Sequence, residues 1–340
     1  MKELFVEGPY FEDIYVGQQL ESPPDVTITA GYASWLQALF ADRMRVPLSQ
    51  PLSAAVLGSE RPAVHPSLLC NVTTGQTTYI TQEVKANLFY RGLVFTQPVF
   101  IDDTISTQSK VVALRQNKAK EGRAATGLVV LEMTITNQHG DEISRFWRCP
   151  MIPCRDPKAE TGHNDDLDQF SGKIDLESVK QIVAKNWNLA AFRERVQGNH
   201  FDQIEENSRY LIKARDTVSC APELVRLTLN MARAHTDVDA SIYDRKLVYG
   251  GHVISMAAAQ MVRALPNLVT IMGWRDCGHL APVFEGDILR SEISITAKHP
   301  LSDQGGLLDI EIATFAQRGE GDEKGSEAKV LDWNLIGLMA

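Results

Sequence analysis

From residue 253 to 262 the chain runs Val, Ile, Ser, Met, Ala, Ala, Ala, Gln, Met, Val, and the first charge is Arg263. A helix with no polar stripe offers no face to water and is enclosed by protein on nearly all sides. It is too short for a bilayer, which takes roughly 20 apolar residues. The pattern therefore predicts a buried helix from Gly251 to about Leu265, with three alanines that let a surrounding sheet approach closely. Elsewhere the apolar positions alternate. Leu308, Ile310 and Ile312 are separated by single acidic residues, as in a half-buried strand. Strands are expected at 26–29, 84–89, 103–114, 127–136 and 142–149, and again at 210–214, 268–274, 287–297, 307–315 and 328–336. Helices are expected at 32–40, at 66–77, where the stretch is more polar, and from about Pro222, with Ser219 as its N-cap.

The order of these segments repeats. Residues 98–105 (PVFIDDTI) match 282–289 (PVFEGDIL), residues 11–14 (FEDI) match 201–204 (FDQI), and Trp147 matches Trp333. Ordered anchors at nearly constant spacing imply duplication of one unit. The predicted organisation is a unit at 1–154, a linker at 155–200 carrying two amphipathic helices that clasp the halves, and a second unit at 201–340.

Composition narrows the function. A net charge of -9 with no basic run excludes nucleic acid as a partner, because phosphate binding needs clustered Lys and Arg. Five cysteines without a CxxC pair suggest neither a disulfide framework nor a metal site. The first residues lack the apolar segment of an export signal. The expectation is a cytoplasmic chain with no membrane partner.

The candidate chemistry lies just ahead of the buried helix. Gly250 and Gly251 stand where the first N–H groups have no partner within the helix and can receive a carbonyl oxygen or an enolate, as a thioester would present. Upstream lie Asn230, His235 and Asp237. Asn230 and His235 would be about 140° apart on one helix, so they converge only if the helix ends between them. An imidazole with an ordinary pKa of about 6.5 suits general acid–base work. Asp237 could orient it.

At the residue level, 230–237 (NMARAHTD), 247–252 (LVYGGH) and 282–287 (PVFEGD) resemble the MaoC-like acyl-CoA hydratase/dehydratase family. Residues 249–255, with 87–91 (NLFYR), are most similar to the branch that acts on mesaconyl-CoA. The resemblance implies an α+β double hotdog, two repeats of an antiparallel sheet each wrapped around a long helix, acting on an acyl-CoA thioester as a lyase. It also implies a homo-oligomer without a separate cofactor, coenzyme A being part of the substrate. The family's Asp–His pair falls on Asn230 and His235. An amide orients water but cannot take its proton, which leaves the acid–base work to His235. In the first half, Asp42 aligns with Asn230 and Pro47 with His235, so the acid survives there without the imidazole; one site per chain is expected, with the first half a degenerate, substrate-binding unit that walls the acyl and pantetheine portions. Tyr249, His252 and Arg91 are the expected substrate contacts. His279 and Glu285 lie beside the strand that closes the tunnel, and Arg275 is, with Arg91, a candidate partner for a dicarboxylate. The alternatives are a thioesterase on the same scaffold and a non-catalytic acyl-CoA-binding protein.

Overall fold

The computed structural model describes residues 1–4, 6–301, 305–321 and 323–340. The first half contains β1 (Val26–Thr27), α1 (Ala30–Phe40), α2 (Arg45–Leu48), α3 (Gln50–Leu57), α4 (Pro66–Gln76), β2 (Ala86–Phe95), β3 (Thr104–Gln116), β4 (Thr126–Thr136) and β5 (Glu142–Pro153). Then come α5 (Leu176–Asn186) and α6 (Leu189–Arg195). The second half contains β6 (Ser208–Leu211), β7 (Asp216–Thr217), α7 (Ala221–Leu227), α8 (Gly250–Ala264), β8 (Leu268–His279), β9 (Ile288–Pro300), β10 (Gly306–Gln317) and β11 (Glu327–Met339).

All these strands join one 11-stranded sheet in the order β1-β3-β4-β5-β2-β8-β11-β10-β9-β6, with β7 paired to β9. The halves meet where β2 and β8 pair antiparallel, Tyr90 opposite Cys277 and Leu93 opposite Trp274. Strand alternation sends Leu131, Met133 and Ile135 of β4, and Leu308, Ile310 and Ile312 of β10, to the face that carries α4 and α8. This is the α+β double hotdog. Among the described residues no helix is long and apolar enough to cross a membrane.

The two long helices are buried for different chemical reasons. From Gly251 to Val262, α8 has no exposed position, as its composition requires. Helix α4 is buried along its whole length although it carries Asn71, Thr73, Thr74 and Gln76, so its polar groups must be satisfied internally. Asn71 Nδ2 donates to Ser255 Oγ of α8 at 2.8 Å, and Gln76 Nε2 donates to the Ile105 carbonyl at 2.9 Å. Gln260 of α8 makes the corresponding bond to the Leu289 carbonyl at 3.1 Å.

Similar bonds recur across the halves. Asp103 accepts the N–H of Phe100 and Asp287 that of Phe284, each at 2.9 Å, and a guanidinium partners each acid, Arg61 in one half and Arg318 in the other. Trp147 and Trp333 do not correspond. Trp333 is fully buried on the helix face, whereas Trp147 lies on the opposite face against Phe170, because the two strands differ by one step of alternation. The segment before α7 also departs from expectation. Cys220 rather than Ser219 precedes the first turn, in the left-handed conformation, and Glu285 Oε1 accepts the N–H of Ala221. Helices α5 and α6 place Val179, Val183 and Phe192 against Val56 of α3 and against Val269, Met272, Ile336 and Leu338 of the second half.

Candidate active site

The chain brings Asn230 and His235 together by stopping a helix early. Helix α7 ends at Leu227, and Leu229 takes a positive φ of 56°. Asn230 then sits buried, its Oδ1 accepting the N–H of Ala232 at 2.9 Å. A 3-10 turn, Arg233–His235, follows and aims the imidazole into the cavity that Asn230 also lines.

Nδ1 of His235 lies 2.8 Å from the Leu247 carbonyl. A carbonyl only accepts, so Nδ1 carries the proton and Nε2 is left as a lone-pair base. The Tyr249 ring packs beside it, with centroids 5.6 Å apart. In the same cavity, Gly250 opens α8 directly against His279. A Cβ on Gly250 would stand 2.4 Å from His279 Nε2, so glycine is required for the imidazole to sit there. As first-turn groups, the N–H groups of Gly250 and Gly251 have no intrahelical acceptor.

The cavity encloses about 210 Å³ between the two halves, lined by His235, His279, Tyr249, Gly250 and Asn230 of the second half and by Thr74, Thr78, Tyr90 and Arg148 of the first. Among the described residues, no Asp or Glu lines it.

Several residues expected at the site lie elsewhere. Asp237 is turned toward Arg233 at 3.4 Å and accepts the N–H of Asp239, so Leu247, not Asp237, orients the imidazole. Gly251 does not line the cavity. A Cβ there would stand 2.0 Å from Asn71 Oδ1, so its glycine serves the contact between α8 and α4. His252 is buried edge-on to Phe40, with centroids 4.8 Å apart, on the side of α8 away from the cavity. Arg91 pairs with Asp276 at 2.9 Å and stacks on Phe89, outside the cavity, and Arg275 pairs with Asp309 at 2.9 Å. Glu285 is occupied as the cap of α7.

Sequence reasoning passed over Arg148, Tyr90, Thr74 and Thr78. For Arg148 a signal existed. It shares a face of β5 with the buried Phe146 and Ile152, so strand alternation alone places a guanidinium in the interior.

Burial pushes the His235, His252 and His279 imidazoles from their ordinary 6.5 down to about 4. For His235 the Leu247 carbonyl opposes the effect, and for His279 the neighbouring His235 adds to it. All three are therefore neutral in the folded protein at pH 7. The unfolded chain takes up these protons near pH 6.5 and the folded chain only near 4. Their contribution to stability is thus intact above pH 6.5 and lost as pH falls from 6.5 toward 4. Urea midpoints should be flat from about pH 8 to 7 and fall through that window; a midpoint unchanged down to about pH 4.5 would contradict the burial.

The matching end of α4 is built differently. Asp42 Oδ1 accepts the N–H of Met44 at 2.7 Å, as Asn230 does from Ala232. Contrary to expectation, an imidazole does face this acid. It comes from His65, which caps α4 with Nδ1 and places Nε2 3.3 Å from Asp42. Burial alone would raise the Asp42 carboxyl, but His65 and the N–H groups of Met44 and Arg43 hold it below the usual range. The cavity lined by Val64 and Pro66, on either side of His65 in the chain, is only about 40 Å³ and is also lined by Ile182 and Trp187 of the linker; Asp42 and His65 do not line it.

Comparison with known proteins gives consistent matches. The family model for mesaconyl-CoA hydratase matches residues 3–264. β-Methylmalyl-CoA dehydratase of Chloroflexus aurantiacus is 29% identical over 350 aligned positions, covering 98% of this chain and 97% of that protein. Mesaconyl-CoA hydratase of Cereibacter sphaeroides is 25% identical over 314 positions, covering 88% and 86%. The solved structure of RV0216 from Mycobacterium tuberculosis, described as essential for bacterial survival during infection and as a double hotdog, superposes with a TM-score of 0.88 at 40% identity, covering 98% and 99%.

Proposed function

The chain belongs to the mesaconyl-CoA hydratase family, and from that premise we propose that it is a hydro-lyase that reversibly adds water across the C2–C3 double bond of an enoyl-CoA, with mesaconyl-CoA giving β-methylmalyl-CoA as the reaction its relatives' names support. The observation that carries this reading is one cavity lined both by an imidazole with a lone-pair nitrogen and by the glycine that opens a helix.

In this reading the thioester oxygen is received by the Gly250 N–H, which stabilises the negative charge that develops as C3 is attacked. His235 Nε2 takes a proton from water while the oxygen bonds to C3, and a proton is returned to C2, so the atoms of water are conserved across the double bond. Asn230 cannot serve as a second base. Its carbonyl oxygen is engaged by the Ala232 N–H, which leaves the amide nitrogen to donate to the incoming water or the new hydroxyl. The neutral state of His235 near pH 7 is the state a base requires.

Hydrolysis is the weaker reading. A carboxylate base on the central helix is absent from α8, and among the described residues no carboxylate lines the cavity. The experiment that separates the readings incubates the protein with crotonyl-CoA and mesaconyl-CoA, following enoyl absorbance and free thiol. Loss of absorbance without thiol release is expected. Thiol release would establish hydrolysis, and no change in either signal would leave a binding protein.

A further inference from the structure

Arg148 is the anomaly of the cavity. It is 3% exposed, lines the cavity wall, and is held by neutral groups only. Nη1 donates to Thr77 Oγ1, Nη2 to Thr81 Oγ1 at 3.4 Å, and Nε has no partner. Arg91 and Arg275 each have an aspartate; among the described residues no carboxylate lies within ion-pair distance of Arg148. A buried charge without a counter-ion is costly, and the cost is recovered when an anion completes it. The planar guanidinium fork matches a carboxylate. Register places Arg148 opposite Tyr90, and Tyr90 packs edge-on to His279 with centroids 6.4 Å apart. The guanidinium thus belongs to the cavity that holds the proposed base.

We propose that Arg148 is the specificity-determining residue, receiving a carboxylate carried on C3 of the enoyl thioester and so favouring a dicarboxylic monothioester over a simple acyl chain. This rests on the hydratase reading for the position of C3. Pairing at C3 would also fix which face of the double bond water approaches.

The test measures kcat/KM for mesaconyl-CoA and crotonyl-CoA in the wild type, Arg148→Lys and Arg148→Gln. The mesaconyl-to-crotonyl ratio should fall on the order of a hundredfold in Arg148→Gln, as for loss of a charged hydrogen bond, and recover in part in Arg148→Lys. An unchanged ratio, with both substrates falling together, would make Arg148 a structural residue and overturn the proposal. If Arg148→Gln does not fold, the wild type and Arg148→Lys are compared in binding of the unreactive methylsuccinyl-CoA and butyryl-CoA. At least about tenfold tighter binding of the former is expected in the wild type and a smaller preference in Arg148→Lys; equal affinities in the wild type, or an unchanged preference in the variant, overturn the assignment. A wild type that hydrates neither ester defeats the hydratase reading, while the binding comparison still decides Arg148.

Discussion

Replacing His235 by Asn should lower hydration by about a hundred- to ten-thousandfold, the range lost when a positioned acid–base group is removed. Asparagine can still donate to the Leu247 carbonyl that Nδ1 of the imidazole reaches at 2.8 Å, so the local fold has a substitute for that bond. What disappears is the cavity-facing Nε2. Because His235 is the group assigned to accept the proton of water, the loss should fall on kcat, with the affinity for an unreactive CoA ester and the thermal midpoint near those of the wild type. Turnover retained within about threefold, far inside that range, would remove His235 from the reaction. Loss of turnover together with the thermal midpoint would show a structural role instead.

The largest expected effect on stability is at Gly75, in the helix of the first half. A Cβ there would stand 1.8 Å from the Thr228 carbonyl oxygen and 2.8 Å from its carbon. Neither atom belongs to a movable side chain, and Thr228 is itself held by its N–H bond to Leu224. Gly75→Ala must therefore push α4 away from the backbone that leads into Asn230. Overpacking of this kind costs about 1–3 kcal/mol, occasionally more. Urea denaturation should show that loss, and hydration should fall with it, because Asn230 is two residues from the displaced carbonyl. A variant with wild-type stability and turnover would mean that the helix and this loop do not touch.

Much of this architecture was legible in the chain. The apolar run after Gly251 required a buried helix, and the two copies of Pro-Val-Phe ending in Asp103 and Asp287 mark turns that share the same hydrogen bond. His235 and Gly250 were legible because their chemistry is local: a ring at the end of a turn and a glycine at the start of a helix. That the first half walls the site follows from the duplication, but the residues that form this wall were not legible. Thr74, Thr78, Tyr90 and Arg148 reach the cavity only because β2 pairs with β8 and because α4 lies beside α8, and such long-range pairing leaves no mark in local periodicity. Asp237 misled for a related reason. Two residues from a histidine it looks like an orienting acid, yet the 3-10 turn directs it to Arg233 and leaves the imidazole to a carbonyl twelve residues further on.

The most direct test is a crystal structure of the protein with butyryl-CoA, whose saturated chain cannot react. The thioester oxygen should lie about 3 Å from the Gly250 nitrogen, a hydrogen-bonding distance, with C3 facing His235 Nε2 in the cavity between the halves. An acyl group bound at the α4 end beside Asp42, or one with its carbonyl turned away from Gly250, would contradict the account.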